Sequence, residues 1–211
     1  MDIEIFVNMY LNEKKDIIEN YPIKDVVRAT EMVFHTYEKE GTIFSMGNGG
    51  NAGTVDHLYC DFKHHAFVSE DKTKPLPQQI KRLSFRSLCG STSELTGLVN
   101  DLGPEMMFAG ALAPDVKSDD LVMGFSGSGN SKNVVRAFEV AKLAGAKTLA
   151  ITKGSGGLCK EIADICIIIP GESNFPGQTG KNDNNFHFED AVLTINHMIV
   201  GLLKHKVSSL I

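Results

Sequence analysis

An α/β chain is what this sequence predicts: a three-layer α/β/α sandwich with a central parallel sheet, preceded by an N-terminal helical pair. Three observations carry that expectation. The first forty residues hold two stretches of helical periodicity. From Gly41 onward, apolar runs of strand length alternate with helical segments. Two of those runs end in turns rich in glycine and serine, "GNGGN" and "GSGNS". Alternating strands and helices build a parallel sheet with helices on both faces.

In chain order, Ile3, Phe6, Val7, Tyr10 and Leu11 recur at helical spacing, and after the Tyr21-Pro22 break so do Val26, Val27, Ala29, Met32, Val33 and Tyr37. Gly41 ends the second helix, "TIFSM" is a buried strand, and a helix follows from about Gly53. The polar stretch 69–79, with its prolines and charges, is an exposed loop before "IKRLSF". "DLVMGFS" is a strand, "SKNVVRAFEVAKLAGA" a helix, and "KTLAIT" and "ADICIIIP" two more strands. Residues 171–186, rich in Gly, Asn and Pro, are expected to form a long surface loop, and a last helix runs from about His187 to His205. The expected organisation is one domain over 1–211, with N-terminal helices in 1–40 and an α/β core in 41–211.

Composition narrows the function. A chain of 211 residues with 42% hydrophobic content buries a full core, and a formal charge of -5 without a basic stripe excludes nucleic acid as the main partner. Four cysteines without a CxxC pair, and an N-terminus unlike a signal peptide, point to a reduced, cytoplasmic protein. No run reaches the roughly 18 apolar residues of a membrane span.

Ligands of open parallel sheets bind beyond the carboxyl ends of the strands, where both turns lie. The glycine turn brings backbone N–H groups of Asn48, Gly49, Gly50 and Asn51 towards an anion at a helix N-terminus. The serine turn adds the hydroxyls of Ser126, Ser128 and Ser131, donors that serve a phosphate without a lysine, and Ser131 also suits a helix N-cap. Its spacing is neither that of a P-loop nor of a dinucleotide fingerprint.

Beyond the glycine turn, His57 and Asp61 share a helix face, with Cys60 close to it and expected to be packed. On the last helix Glu189 and His197 are eight residues apart, within about 80° around the axis. Each pair alone fits an ordinary polar face or a core histidine. Together, two histidines and two carboxylates make a donor set that a divalent metal such as zinc accepts, and equally an acid–base pair for moving protons on a sugar carbon.

The order strand, "GNGG", helix with His57 and Asp61, "ND", "SGSGNS" and a final helix with Glu189 and His197 resembles the sugar isomerase (SIS) domain over nearly the whole chain. Within it, the pattern resembles the phosphoheptose isomerases, which interconvert sedoheptulose 7-phosphate and an aldoheptose 7-phosphate. The resemblance implies a sugar-phosphate site lined by Asn48, Gly49, Gly50, Asn51, Asn100, Asp101, Ser126, Gly127, Ser128, Ser131 and Glu189. It places His57, Asp61, Glu189 and His197 at the metal, with Asp61 and His197 as catalytic base and acid. It further implies a divalent metal, zinc by preference, and a homotetramer with sites at subunit contacts.

The chain departs from that pattern in several places. The family usually has glutamate at Asp61, glutamine at Glu189, an acidic residue at Phe186, an arginine within "KHHAF", and often STSGNS where this turn has Gly127. Asp61 shortens the reach of the base by one methylene, and Glu189 adds a negative charge expected near the metal. Another ketose phosphate as substrate, or a non-catalytic relative that binds a replication initiator, are the competing expectations.

Overall fold

A computed structural model describes residues 2–209. Helix α1 (Ile3–Glu19) starts at Asp2, whose carboxylate accepts from the Glu4 N–H, and Pro22 then marks the start of α2 (Ile23–Glu38). The core follows as β1 (Thr42–Gly47), α3 (Gly50–Lys63), β2 (Ser84–Ser87), α4 (Thr92–Leu102), α5 (Met107–Leu112), β3 (Leu121–Phe125), α6 (Lys132–Leu143), β4 (Lys147–Lys153), α7 (Gly157–Ile162), β5 (Ile165–Ile169) and α8 (Asn185–Ser208). The five strands form one sheet in the order β2-β1-β3-β4-β5, every pairing parallel.

Successive strand residues serve opposite faces. Leu121, Met123 and Phe125 pack with residues of α2, α3 and α8, whereas Val122 joins residues of α5 and α6, and Gly124 lies against Phe138 and Val134. Central strands buried on both faces read as the near-continuous apolar runs of the sequence. The three-layer expectation holds, and no described helix is long and apolar enough to cross a membrane.

Two local expectations are corrected. Helix α3 begins at Gly50 and not at about Gly53. Residues 171–184 form the expected long surface loop, mostly exposed and tied down at three buried side chains: Ser173, Gln178 and Asn184, of which Asn184 donates to the Pro170 and Gly171 carbonyls and Gln178 accepts from the Phe186 N–H. Cys60, expected to be packed, is exposed.

Candidate active site

The chain passes from β1 outward to β2 and then returns to lay β3 on the other side of β1, so the sheet order reverses between β1 and β3. That is the point where open parallel sheets place a ligand crevice. Gly47 and Phe125 are paired residues at the carboxyl ends of these strands, so the glycine and serine turns stand side by side. Asn48 and Asn133 tie them together by exchanging amide hydrogen bonds of 3.0 and 2.9 Å.

The glycine turn already holds an anion. A Cβ on Gly50 would stand 2.5 and 2.9 Å from the two Glu189 carboxylate oxygens, so only glycine admits this carboxylate to the first turn of α3. The positive end of the helix dipole favours a negative charge there. The Asn185 side chain also approaches Glu189, at 3.4 Å. The carboxylate expected near a metal therefore lies at the N-terminus of α3.

Ser126 and Ser131 face each other across the serine turn with hydroxyls 2.9 Å apart, and Ser128 accepts from the Asn130 N–H at 3.1 Å. Ser131 occupies the N-cap position of α6, but its hydroxyl goes to Ser126 and caps no N–H of the helix. The turn is braced from behind, where the Gly129 carbonyl accepts from Cys159 N–H at 2.9 Å and Asn130 Oδ1 from Leu158 N–H at 3.1 Å.

Helices α3 and α8 pack side by side on one face of the sheet, Gly50 opposite Glu189 and His57 opposite His197, and so run in the same direction. Two turns along, His57 Nε2 and His197 Nε2 lie 3.1 Å apart, and Asp61 Oδ2 stands 3.2 Å from the first and 3.4 Å from the second. A tetrahedral cation bound at about 2.0–2.1 Å requires ligand–ligand edges of about 3.3–3.4 Å, so this triangle fits one. The donors, two imidazoles and a carboxylate, suit zinc or a similar divalent ion. Glu189, expected as a fourth ligand, does not belong to this group.

Asn100 and Asp101 close the exposed end of α4, where they bond each other at 2.8 Å; among the described residues neither bonds to the serine turn. Two features escaped the sequence reading. Lys153, at the end of β4, is 8% exposed and lies beside Gly127, although the serine turn was read as working without a lysine. Its position at a strand end beyond a crevice was the available signal.

The second is a polar cluster fastening α1 to α8. Tyr10 and Lys14 each donate to Asp190 at 2.8 Å, while Glu13 accepts from Ser173 at 2.6 Å and the Asn174 N–H at 2.7 Å, and pairs with the buried His187 at 3.0 Å. Burial pushes the Glu13 carboxyl up, but the hydrogen bonds from Ser173, Asn174 and His187 outweigh it and hold the group below its ordinary value; Asp190 is likewise raised by burial and lowered further by Lys14 and Tyr10. Carboxyls with depressed folded values stabilise fully above their unfolded values, and that contribution disappears as pH falls through the folded ones. Thermal stability is thus expected to drop below the ordinary values of 4.5 for Glu13 and 3.8 for Asp190, and Glu13→Gln to flatten the slope in melts below roughly pH 5.

Residues 9–153 match the family model described as the SIS domain. The phosphoheptose isomerase of Pelodictyon phaeoclathratiforme is 30% identical over 196 residues, covering 93% of this chain and 84% of that protein. That of Helicobacter pylori strain P12 is 34% identical over 145 residues, 69% of this chain and 70% of its own. Among solved structures, the phosphoheptose isomerase of Neisseria gonorrhoeae superposes with a TM-score of 0.80 at 20% identity, covering 96% of this chain and 99% of that one. The Francisella tularensis phosphoheptose isomerase gives a TM-score of 0.79 at 21% identity, covering 97% and 99%. With its crevice at the β1–β3 reversal and its His57–Asp61–His197 triangle, the chain belongs to the phosphoheptose isomerases of the SIS-domain family.

Proposed function

We propose that this sugar-phosphate isomerase converts sedoheptulose 7-phosphate to D-glycero-D-manno-heptose 7-phosphate or its epimer. The observation that carries the reading is the convergence of His57, Asp61 and His197, from two helices, on one point. The phosphate sits in the serine turn, on the hydroxyls of Ser126, Ser128 and Ser131 and the N–H groups around Gly127, and so holds the sugar in register. Asp61 approaches both imidazoles through Oδ2, which leaves Oδ1 to take the proton from the carbon beside the carbonyl and return it to its neighbour. His197 is assigned the proton transfer between the two sugar oxygens, a role its Nε2 fills only while that atom is not engaged by the metal. A divalent metal held by His57, Asp61 and His197, zinc by preference, would supply polarisation of those oxygens.

Asn48, Gly49, Gly50, Asn51, Asn100, Asp101 and Glu189 remain assigned to the sugar-phosphate site by resemblance. Glu189 acts there through α3, by fixing the glycine turn. The exposed Phe186, at the first turn of α8, favours one second reading, a ketose phosphate of another length, since an apolar ring offers a sugar hydroxyl no acceptor. The test is turnover by the metal-analysed protein with sedoheptulose 7-phosphate, beside Asp61→Asn. Turnover lost in the variant supports the reading. An inactive metal-loaded wild type sinks the heptose assignment, and binding of a replication initiator would then be the outcome of a partner screen.

The proposed homotetramer has an apolar face to form on. Ile18, Tyr21, Val27, Phe34, Met198 and Leu202 line a groove of about 550 Å³ between α1, α2 and α8. Ile3, Val7 and Leu11 extend the apolar surface along α1, each more than half exposed. Contiguous apolar surface of this kind marks an interaction site. Met198 neighbours His197, so the triad borders that face. Leu202→Glu is expected to yield smaller species by sedimentation, and an unchanged assembly would exclude this groove as the contact.

A further inference from the structure

We propose that Lys153 is a phosphate-binding residue, the cationic donor of the serine turn; the inference rests on the sugar-phosphate reading above. Its backbone N–H donates to the Gly127 carbonyl at 3.1 Å, which fixes the end of β4 against the turn. Its side chain then runs alongside Gly127. A Cβ at that position would stand 3.3 Å from Lys153 Cε and 3.1 Å from Asn185 Oδ1, so the missing side chain of Gly127 is the space the lysine uses.

The ammonium is withdrawn from water, with 9% of the side chain exposed, yet it is poorly matched there. It donates to the main-chain carbonyl of Asp183, and the Asp183 carboxylate, 44% exposed, is 3.4 Å away. An ammonium carries three donors, and a buried charge requires strong partners. A phosphate dianion in the adjacent turn is a stronger acceptor than a neutral carbonyl. Lys132, which follows Ser131, does not fill the role: it is three-quarters exposed and paired with Glu105 at 2.7 Å.

The experiment is titration of the intact protein with inorganic phosphate by calorimetry, for wild type, Lys153→Met and Asp183→Ala. Lys153→Met is expected to weaken phosphate binding about tenfold or more, as loss of a hydrogen bond to a charged group does. Asp183→Ala, which keeps the lysine and removes a competing carboxylate, is expected to bind phosphate at least as well as wild type. Equal affinities for wild type and Lys153→Met overturn the proposal, as does a wild type that binds no phosphate. Equal weakening in both variants also overturns it, because the lysine would then serve only to hold the 171–184 segment. Failure of the isomerase reading is separate: the wild type would bind phosphate and turn over no phosphoketose.

Discussion

Replacing His197 with alanine is expected to abolish binding of the proposed divalent metal and lower turnover by about 10²–10⁴-fold, the range that positioned acid–base groups supply. The imidazole is one of three donors converging from two helices, and with its removal only His57 and Asp61, from a single helix, remain. Changes to groups that merely orient a metal ligand cost about 10–100-fold in affinity, so loss of a ligand itself costs more. Stability is expected to change little, since half of the His197 side chain is exposed and its bonds are confined to the triad. Metal content after dialysis, turnover and a thermal melt separate these effects. A variant that keeps both its metal and its turnover would remove His197 from the mechanism.

Gly129→Ala is expected to destabilise the fold by about 3 kcal/mol or more and to abolish phosphate binding. Gly129 has a φ of +66°, which costs an L-residue about 1–2 kcal/mol. A Cβ there would lie 2.0 Å from the Gly156 carbonyl oxygen, a backbone atom that cannot swing aside. Relief requires the serine turn and the β4–α7 turn to part, which breaks the 2.9 Å bond from the Cys159 N–H to the Gly129 carbonyl. For a chain of this size the melting temperature would fall by about 6–12 °C. A variant that melts with the wild type would show that the two turns separate freely.

Much of this was legible in the sequence. Strands β1, β3 and β4 are apolar runs because both of their faces are covered, and the turns at Gly47 and Phe125 announce themselves through residues that free the backbone. The pairing of His57 with Asp61 follows from spacing on one helix. The ends of helices were less clear: Gly50 and Gly53 are both weak helix formers, so local propensity does not mark where α3 starts, and the proximity of Glu189, far along the chain, to Gly50 is a contact no local pattern shows.

The amino-acid sequence by itself determined the alternating elements, the parallel sheet and the two turns, because helix period, strand period and turn chemistry act over a few residues. Only the tertiary structure decided what those elements bring together. His57 and His197, 140 positions apart, meet because α3 and α8 pack in parallel on one sheet face. The same packing sends the Glu189 carboxylate to Gly50 instead of the triangle, and β4 delivers Lys153 to the gap at Gly127. Which side chains converge depends on how helices sit against a common sheet, a property of long-range packing that no local pattern encodes.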